Sequence, residues 1–180
     1  MHFVKNLSLF VNKAGKITTF QHKICPYHKL SKRIKVAYIS QMKYIPEIRF
    51  ADIDSYGIVH NSKYLIFFEQ SRINMFHKIA GNWDWEKMGV LVVNQKIDYR
   101  HPVRVNDKME ITIWIKSVGE KSLTISYEAH IINDSNKTLS AESETVIVCF
   151  DPLIKSTVSV PKQWRESIEK HSLLNKPSTC

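Results

Sequence analysis

The chain has 180 residues, is 43% hydrophobic and 24% charged, and carries five glycines and six prolines, an ordinary composition for one globular domain. No apolar run approaches the roughly 18–20 residues that cross a bilayer, which excludes a transmembrane helix. The formal net charge of +9 sits almost wholly in residues 1–41 (eight basic and no acidic, against 18 and 17 thereafter), so the body lacks the basic face of a nucleic-acid-binding domain.

Residues 1–41 read as a basic leader without sustained hydrophobic periodicity, expected to be loosely packed or an upstream extension. Within it, His22, Cys25 and His28 supply three potential ligands without a fourth at a typical spacing, so no metal site is expected. Cys25, Cys149 and Cys180 are odd in number and follow no pattern, which suits a reducing compartment and the cytoplasm.

From Met42 the pattern sharpens, and residues 42–155 read as the main domain. Ile45 to Asp52 alternates loosely and predicts a short strand. The cluster Asp54-Ser55-Tyr56-Gly57 is turn-forming. Asn61 or Ser62 then caps a helix running to about Ala80, with Gly81 at its C-terminal cap. Tyr64, Leu65, Phe68, Met75, Phe76 and Ile79 recur at helical spacing. Ile66 and Phe67 widen the apolar arc, predicting a helix buried on most sides.

The remainder reads as β. Val90–Tyr99 is a strand ended by His101-Pro102. Met109, Ile111, Ile113 and Ile115 alternate with polar neighbours, as do Leu123, Ile125, Tyr127, Ala129 and Ile131 after a turn at Gly119-Glu120-Lys121. A turn at Asn133–Asn136 leads into Leu139–Phe150, and these connection lengths predict antiparallel hairpins. Residues 156–180 hold a short helix opened by Pro161, then a tail.

One strand, one long helix and four successive strands give an α+β protein whose antiparallel sheet wraps around the central helix, the hotdog fold. Exposed sheet edges in such a protomer predict pairing with a second copy, as a dimer or tetramer.

The run Asp52-Ile53-Asp54-Ser55-Tyr56-Gly57-Ile58-Val59, followed by Asn61-Ser62-Lys63-Tyr64-Leu65 and Phe67-Phe68-Glu69, resembles the signature of the 4-hydroxybenzoyl-CoA thioesterase family. Tyr99-Arg100-His101-Pro102 through Asp107 looks like that family's strand, kink and turn. The resemblance implies hydrolysis of acyl-CoA or acyl-carrier-protein thioesters without a cofactor. It places the catalytic carboxylate at Asp54 and the oxyanion donor at the backbone N–H near Asn61. It further implies substrate contacts along Gly57, Ile58, Val59, His60 and Tyr64. The chemistry suits the residue types, because thioester hydrolysis needs a nucleophile or base and donors for the developing oxyanion.

Glu69 is the second candidate carboxylate, since another branch of this fold uses an acid on the helix. Arg100 and Arg104 are candidate partners for CoA phosphates. Asp52 is expected to make structural hydrogen bonds. Two other functions remain open for such a chain: a non-catalytic acyl-CoA-binding protein, and a hydratase or dehydratase on the same fold.

Overall fold

The computed structural model describes residues 10–11, 17–18, 41–134 and 136–173. The chain divides into two compact units, Met1–Lys32 and Arg33–Cys180. In the first, strands β1 (Phe10–Val11) and β2 (Ile17–Thr18) pair antiparallel, with Phe10 opposite Thr18. His22, Cys25 and His28 lie outside the described residues, as does most of the leader.

The second unit contains β3 (Met42–Tyr44), α1 (Asn61–Ala80), β4 (Gly89–Tyr99), β5 (Met109–Val118), β6 (Ser122–Asn133), β7 (Asn136–Asp151), β8 (Ser156–Thr157) and α2 (Lys162–Leu173). The sheet order is β3-β5-β6-β7-β4, antiparallel throughout, with β8 paired to the end of β7. This is the hotdog arrangement, a single antiparallel sheet packed around α1.

Both alternating segments bury the expected face. Met109, Ile111, Ile113 and Ile115 of β5, and Leu123, Ile125, Tyr127, Ala129 and Ile131 of β6, are all buried. They meet Phe67, Phe68, Met75, Phe76 and Ile79 of α1, with Phe68 and Tyr127 rings 4.9 Å apart. Fully burying each large apolar side chain stabilises by about 1.5–3 kcal/mol, so this seam dominates folding. Trp164 of α2, fully buried, meets Phe76, Trp83 and Trp85 at ring separations of 5.1–5.7 Å. The C-terminal helix is thus packed onto the far end of α1.

The structure corrects three expectations. The strand predicted over Ile45–Asp52 is absent: β3 ends at Tyr44, and Phe50–Asp52 forms a 3₁₀ turn. Pro46 has no N–H for a ladder, and the Asp52 carboxylate captures the Arg49 N–H at 3.0 Å, so the backbone is drawn into a turn. The helix is capped by His60, one residue earlier than expected, because its Nδ1 accepts the Ser62 N–H. Nor is α1 covered on most sides. Leu65, Ile66 and Ile73 form a bare flank, and Leu91, Val92 and Val93 on the edge strand β4 are also bare, all between 40 and 56% exposed.

The lateral strands are held electrostatically as well. Glu110 of β5 stands 3.1 Å from Lys43 of β3 and 3.3 Å from Lys137 of β7. Burial pushes its carboxyl upward, but the two ammonium groups outweigh burial and hold its pKa below the ordinary value. Unfolded carboxyls take up protons near pH 4, the folded one only at lower pH. This stabilisation is therefore complete above the unfolded pKa and lost as pH falls through the folded one. Urea midpoints should drop on acidification below about pH 5, and Glu110→Gln should flatten that slope. An identical slope in the variant would contradict the assignment.

Candidate active site

The loop before α1 is assembled around two aspartates with different surroundings. Asp52 is 1% exposed and accepts the Arg49 backbone N–H at 3.0 Å, the Arg49 guanidinium at 3.3 and 3.4 Å, and the Lys63 ammonium at 3.2 Å. Burial raises its carboxyl pKa, but these cations and hydrogen bonds outweigh burial and depress it overall. Its carbonyl accepts the His60 N–H at 2.9 Å. Asp52 thereby ties the loop to the first turn of α1, in keeping with a structural role.

Asp54 faces another environment. Its Oδ1 accepts the backbone N–H groups of Tyr56 at 2.8 Å and Ile58 at 3.4 Å, leaving Oδ2 outside these turn bonds. The turn closes through Asp54 N–H to the Ile58 carbonyl at 2.8 Å and Gly57 N–H to the Asp54 carbonyl at 3.0 Å. Gly57 sits at φ +76°, a left-handed conformation that side chains strain against. Val59 N–H bonds the Val103 carbonyl at 2.8 Å, and Ile58 bridges Arg104, so the loop is pinned to the segment after β4.

The helix start supplies donors. His60 Nδ1 accepts from Ser62 N–H at 3.2 Å, which leaves Nε2 to carry the ring proton. Asn61 is the first helical residue, and its N–H can have no intrahelical acceptor. His60 takes up the Ser62 N–H through Nδ1 and the Lys63 N–H through its carbonyl at 2.8 Å, so the first turn presents the Asn61 N–H and the positive end of the helix dipole.

These elements enclose a cavity of about 350 Å³. Asp54, Ile58, Val59, Asn61 and Tyr64 form one wall; Tyr99, Arg100, His101 and Pro102 form the other. Six expected site residues therefore meet: Asp54, Ile58, Val59, Asn61, Tyr64 and Arg100. Gly57 shapes the turn, His60 is an exposed cap beside the cavity, and Arg104 lies outside the lining. Arg100 is ion-paired with Glu142 at 3.0 Å. Glu69 is elsewhere, in a groove of about 380 Å³ with Arg72, Ile73, Phe76 and Trp85. A larger groove of about 440 Å³ on the helix-distal sheet face holds none of the expected residues.

Sequence reasoning assigned no role to Tyr99. Its OH donates to the Asn61 carbonyl at 3.0 Å, and its ring meets Tyr64 edge-on at 5.3 Å. Burial pushes both phenols upward, so both remain protonated donors. The available signal was an aromatic at the end of β4, two residues before the His101-Pro102 break. Among the described residues no group of three or more His, Cys, Asp or Glu could hold a metal ion, and no helix is long and apolar enough to cross a membrane.

A carboxylate beside a helix N–H with no intrahelical acceptor can attack a carbonyl, or activate water, while that donor stabilises an oxyanion. Comparison with known proteins meets this geometry. Residues 48–168 match the family described as the thioesterase-like superfamily. The acyl-CoA thioester hydrolase YbgC of Escherichia coli is 30% identical over 118 residues, spanning 64% of this chain and 86% of that protein. The long-chain acyl-CoA thioesterase FadM of Escherichia coli is 25% identical over 133 residues, spanning 69% and 94%. A Thermus thermophilus thioesterase solved with coenzyme A and zinc superposes with a TM-score of 0.64 at 23% identity, covering 75% of this chain and 95% of that one. A 4-hydroxybenzoyl-CoA thioesterase solved with 4-hydroxybenzoyl-CoA gives 0.66 at 17% identity, covering 71% and 98%. At these identities the structural likenesses establish the fold.

Proposed function

The chain belongs to the thioesterase-like superfamily, and on that premise we propose that it hydrolyses acyl-CoA thioesters to a free acid and a thiol, with Asp54 as the reacting carboxylate. The observation that carries this reading is the Asp54 carboxylate on a cavity wall beside the first turn of α1, with Oδ2 free of the turn's bonds. The matched relatives named as acyl-CoA hydrolases support the reaction class.

Two routes conserve atoms. In one, an Asp54 oxygen bonds the acyl carbon, the carbon–sulfur bond breaks, the thiolate leaves and takes a proton, and water cleaves the anhydride. In the other, Asp54 accepts a proton from water as the water oxygen bonds the acyl carbon, the carbon–sulfur bond then breaks, and the thiolate leaves and takes a proton. Both build negative charge on the carbonyl oxygen, which the Asn61 N–H would meet. Gly57, Ile58, Val59, His60 and Tyr64 would border the acyl group, and Arg100 and Arg104 would meet CoA phosphates. Glu69 is the reserve carboxylate in its separate groove.

A second copy completes the reading. Edge strand β4 carries bare Leu91, Val92 and Val93 beside the bare flank of α1, a surface that edge-to-edge pairing would cover. The cytoplasm is the compartment that suits the cysteine pattern.

The test is thiol release from short, long and aromatic acyl-CoAs by the full chain, with its mass measured in solution. Thiol should appear with at least one substrate, at a mass of two or more 21.0 kDa chains. Tight binding without thiol would mark a binding protein, and hydration of crotonyl-CoA without thiol a hydratase; either overturns hydrolysis.

A further inference from the structure

We infer that Ser140 is a positioning residue for this site, latching the first turn of α1 to the corner where β4 ends. The inference rests on Asp54 being the reacting carboxylate. Ser140 is fully buried on β7, one residue before Ala141, which pairs with the last residue of β4, Tyr99. Beyond that pair the chain swings away through Arg100, His101 and Pro102. The Ser140 carbonyl accepts both freed N–H groups, from Arg100 at 2.7 Å and His101 at 3.0 Å. Its hydroxyl bonds the His101 carbonyl at 2.8 Å and lies 2.8 Å from the Tyr64 hydroxyl.

The proton order follows from chemistry. A carbonyl only accepts, so Ser140 gives its single proton to His101, and Tyr64 must donate to Ser140. One side chain thus satisfies a helix residue and a strand-end residue together. Tyr64 stands in the first turn of α1, and Tyr64 and His101 line the same cavity as Asp54 from opposite walls. Tyr99, packed edge-on against Tyr64, holds the Asn61 carbonyl in that same turn. The Ser140 hydroxyl therefore sets the spacing between the wall carrying Asp54 and Asn61 and the wall facing it. Removing the hydroxyl strands the Tyr64 phenol and the His101 carbonyl without partners, and the strain is relieved most directly by moving these walls.

A displacement near 1 Å at such a site costs about 100-fold in rate. Ser140→Ala should lower kcat by about 10- to 100-fold while KM stays close to wild type, because substrate still enters the cavity but reacts from a worse position. Ser140→Thr retains the hydroxyl and should recover most of the loss. Tyr64→Phe keeps the ring and removes only its hydroxyl, so it should reproduce the kcat loss, and combining it with Ser140→Ala should add little. Should Ser140→Ala fail to fold, Tyr64→Phe alone decides. Active wild type with unchanged kcat in Tyr64→Phe, or in folded Ser140→Ala, overturns the latch and leaves the hydrolase reading intact. Wild type that releases no thiol from any acyl-CoA overturns both.

Discussion

Asp54→Asn is expected to lower kcat on a cleavable acyl-CoA by about 10²–10⁴-fold, the range that loss of one positioned acid–base group produces. The substitution isolates the chemistry because Asn retains an acceptor oxygen where Asp54 Oδ1 takes the Tyr56 and Ile58 N–H groups. The turn, its left-handed Gly57 and the first turn of α1 have no reason to move. The thermal midpoint and KM should stay near wild type, since the amide still fits the cavity. What disappears is the negative charge that either attacks the acyl carbon or draws a proton from water. A thermal midpoint that falls along with kcat would assign Asp54 to the scaffold instead.

Removing both cations around Asp52 should destabilise the protein by about 3–5 kcal/mol, the cost of leaving a buried carboxylate unpaired. The direction of the comparison matters. Asp52 is 1% exposed, whereas the side chains of Arg49 and Lys63 are 62% and 26% exposed and can turn to water if the carboxylate is deleted. The double variant Arg49→Ala with Lys63→Ala should therefore lose more stability than Asp52→Ala, although each breaks the same ion pairs. In the double variant burial is opposed only by the remaining Arg49 backbone bond, so the Asp52 carboxyl pKa should rise and much of the lost stability should return at acid pH. Urea unfolding at two pH values resolves this. Equal losses in the two variants would show that Asp52 is solvated well enough to need no partners.

The parts of this protein legible in the sequence are those governed by periodicity. In β5 and β6 the alternation from Met109 to Ile115 and from Leu123 to Ile131 maps directly onto the buried face, because a half-buried strand must repeat every two residues. The helix ends where Gly81 stands, at φ +58°. Positions set by single side-chain bonds were harder to read. The 45–52 segment alternates like a strand, yet Pro46 and the Asp52–Arg49 bond remove it from the sheet. The sequence favours Asn61 or Ser62 over His60 as the cap, because capping by imidazole Nδ1 is uncommon beside Asn and Ser. The bare flank of α1 could not be read at all, since a helix apolar on several sides looks the same whether its own chain or a second copy covers it.

For the site, the resemblance carried by Asp52 through Glu69 led to one wall of the cavity, and the need of CoA phosphates for cationic partners added Arg100 on the other. Tyr99 and Ser140 escaped because their roles arise from contacts 38 and 76 residues distant in the chain. No local pattern announces such a bond. Glu69 satisfied the sequence criterion for a helix carboxylate, but it faces a groove apart from Asp54.

The most direct test of the account is single-turnover thiol release by wild type and Asp54→Asn, each saturated with the same acyl-CoA and each shown by titration to bind it. The account predicts equal binding, with the amide variant liberating thiol at roughly a hundredth of the wild-type rate or less. Equal single-turnover rates in the two proteins would contradict it, and the reacting group would have to be sought elsewhere, beginning with Glu69.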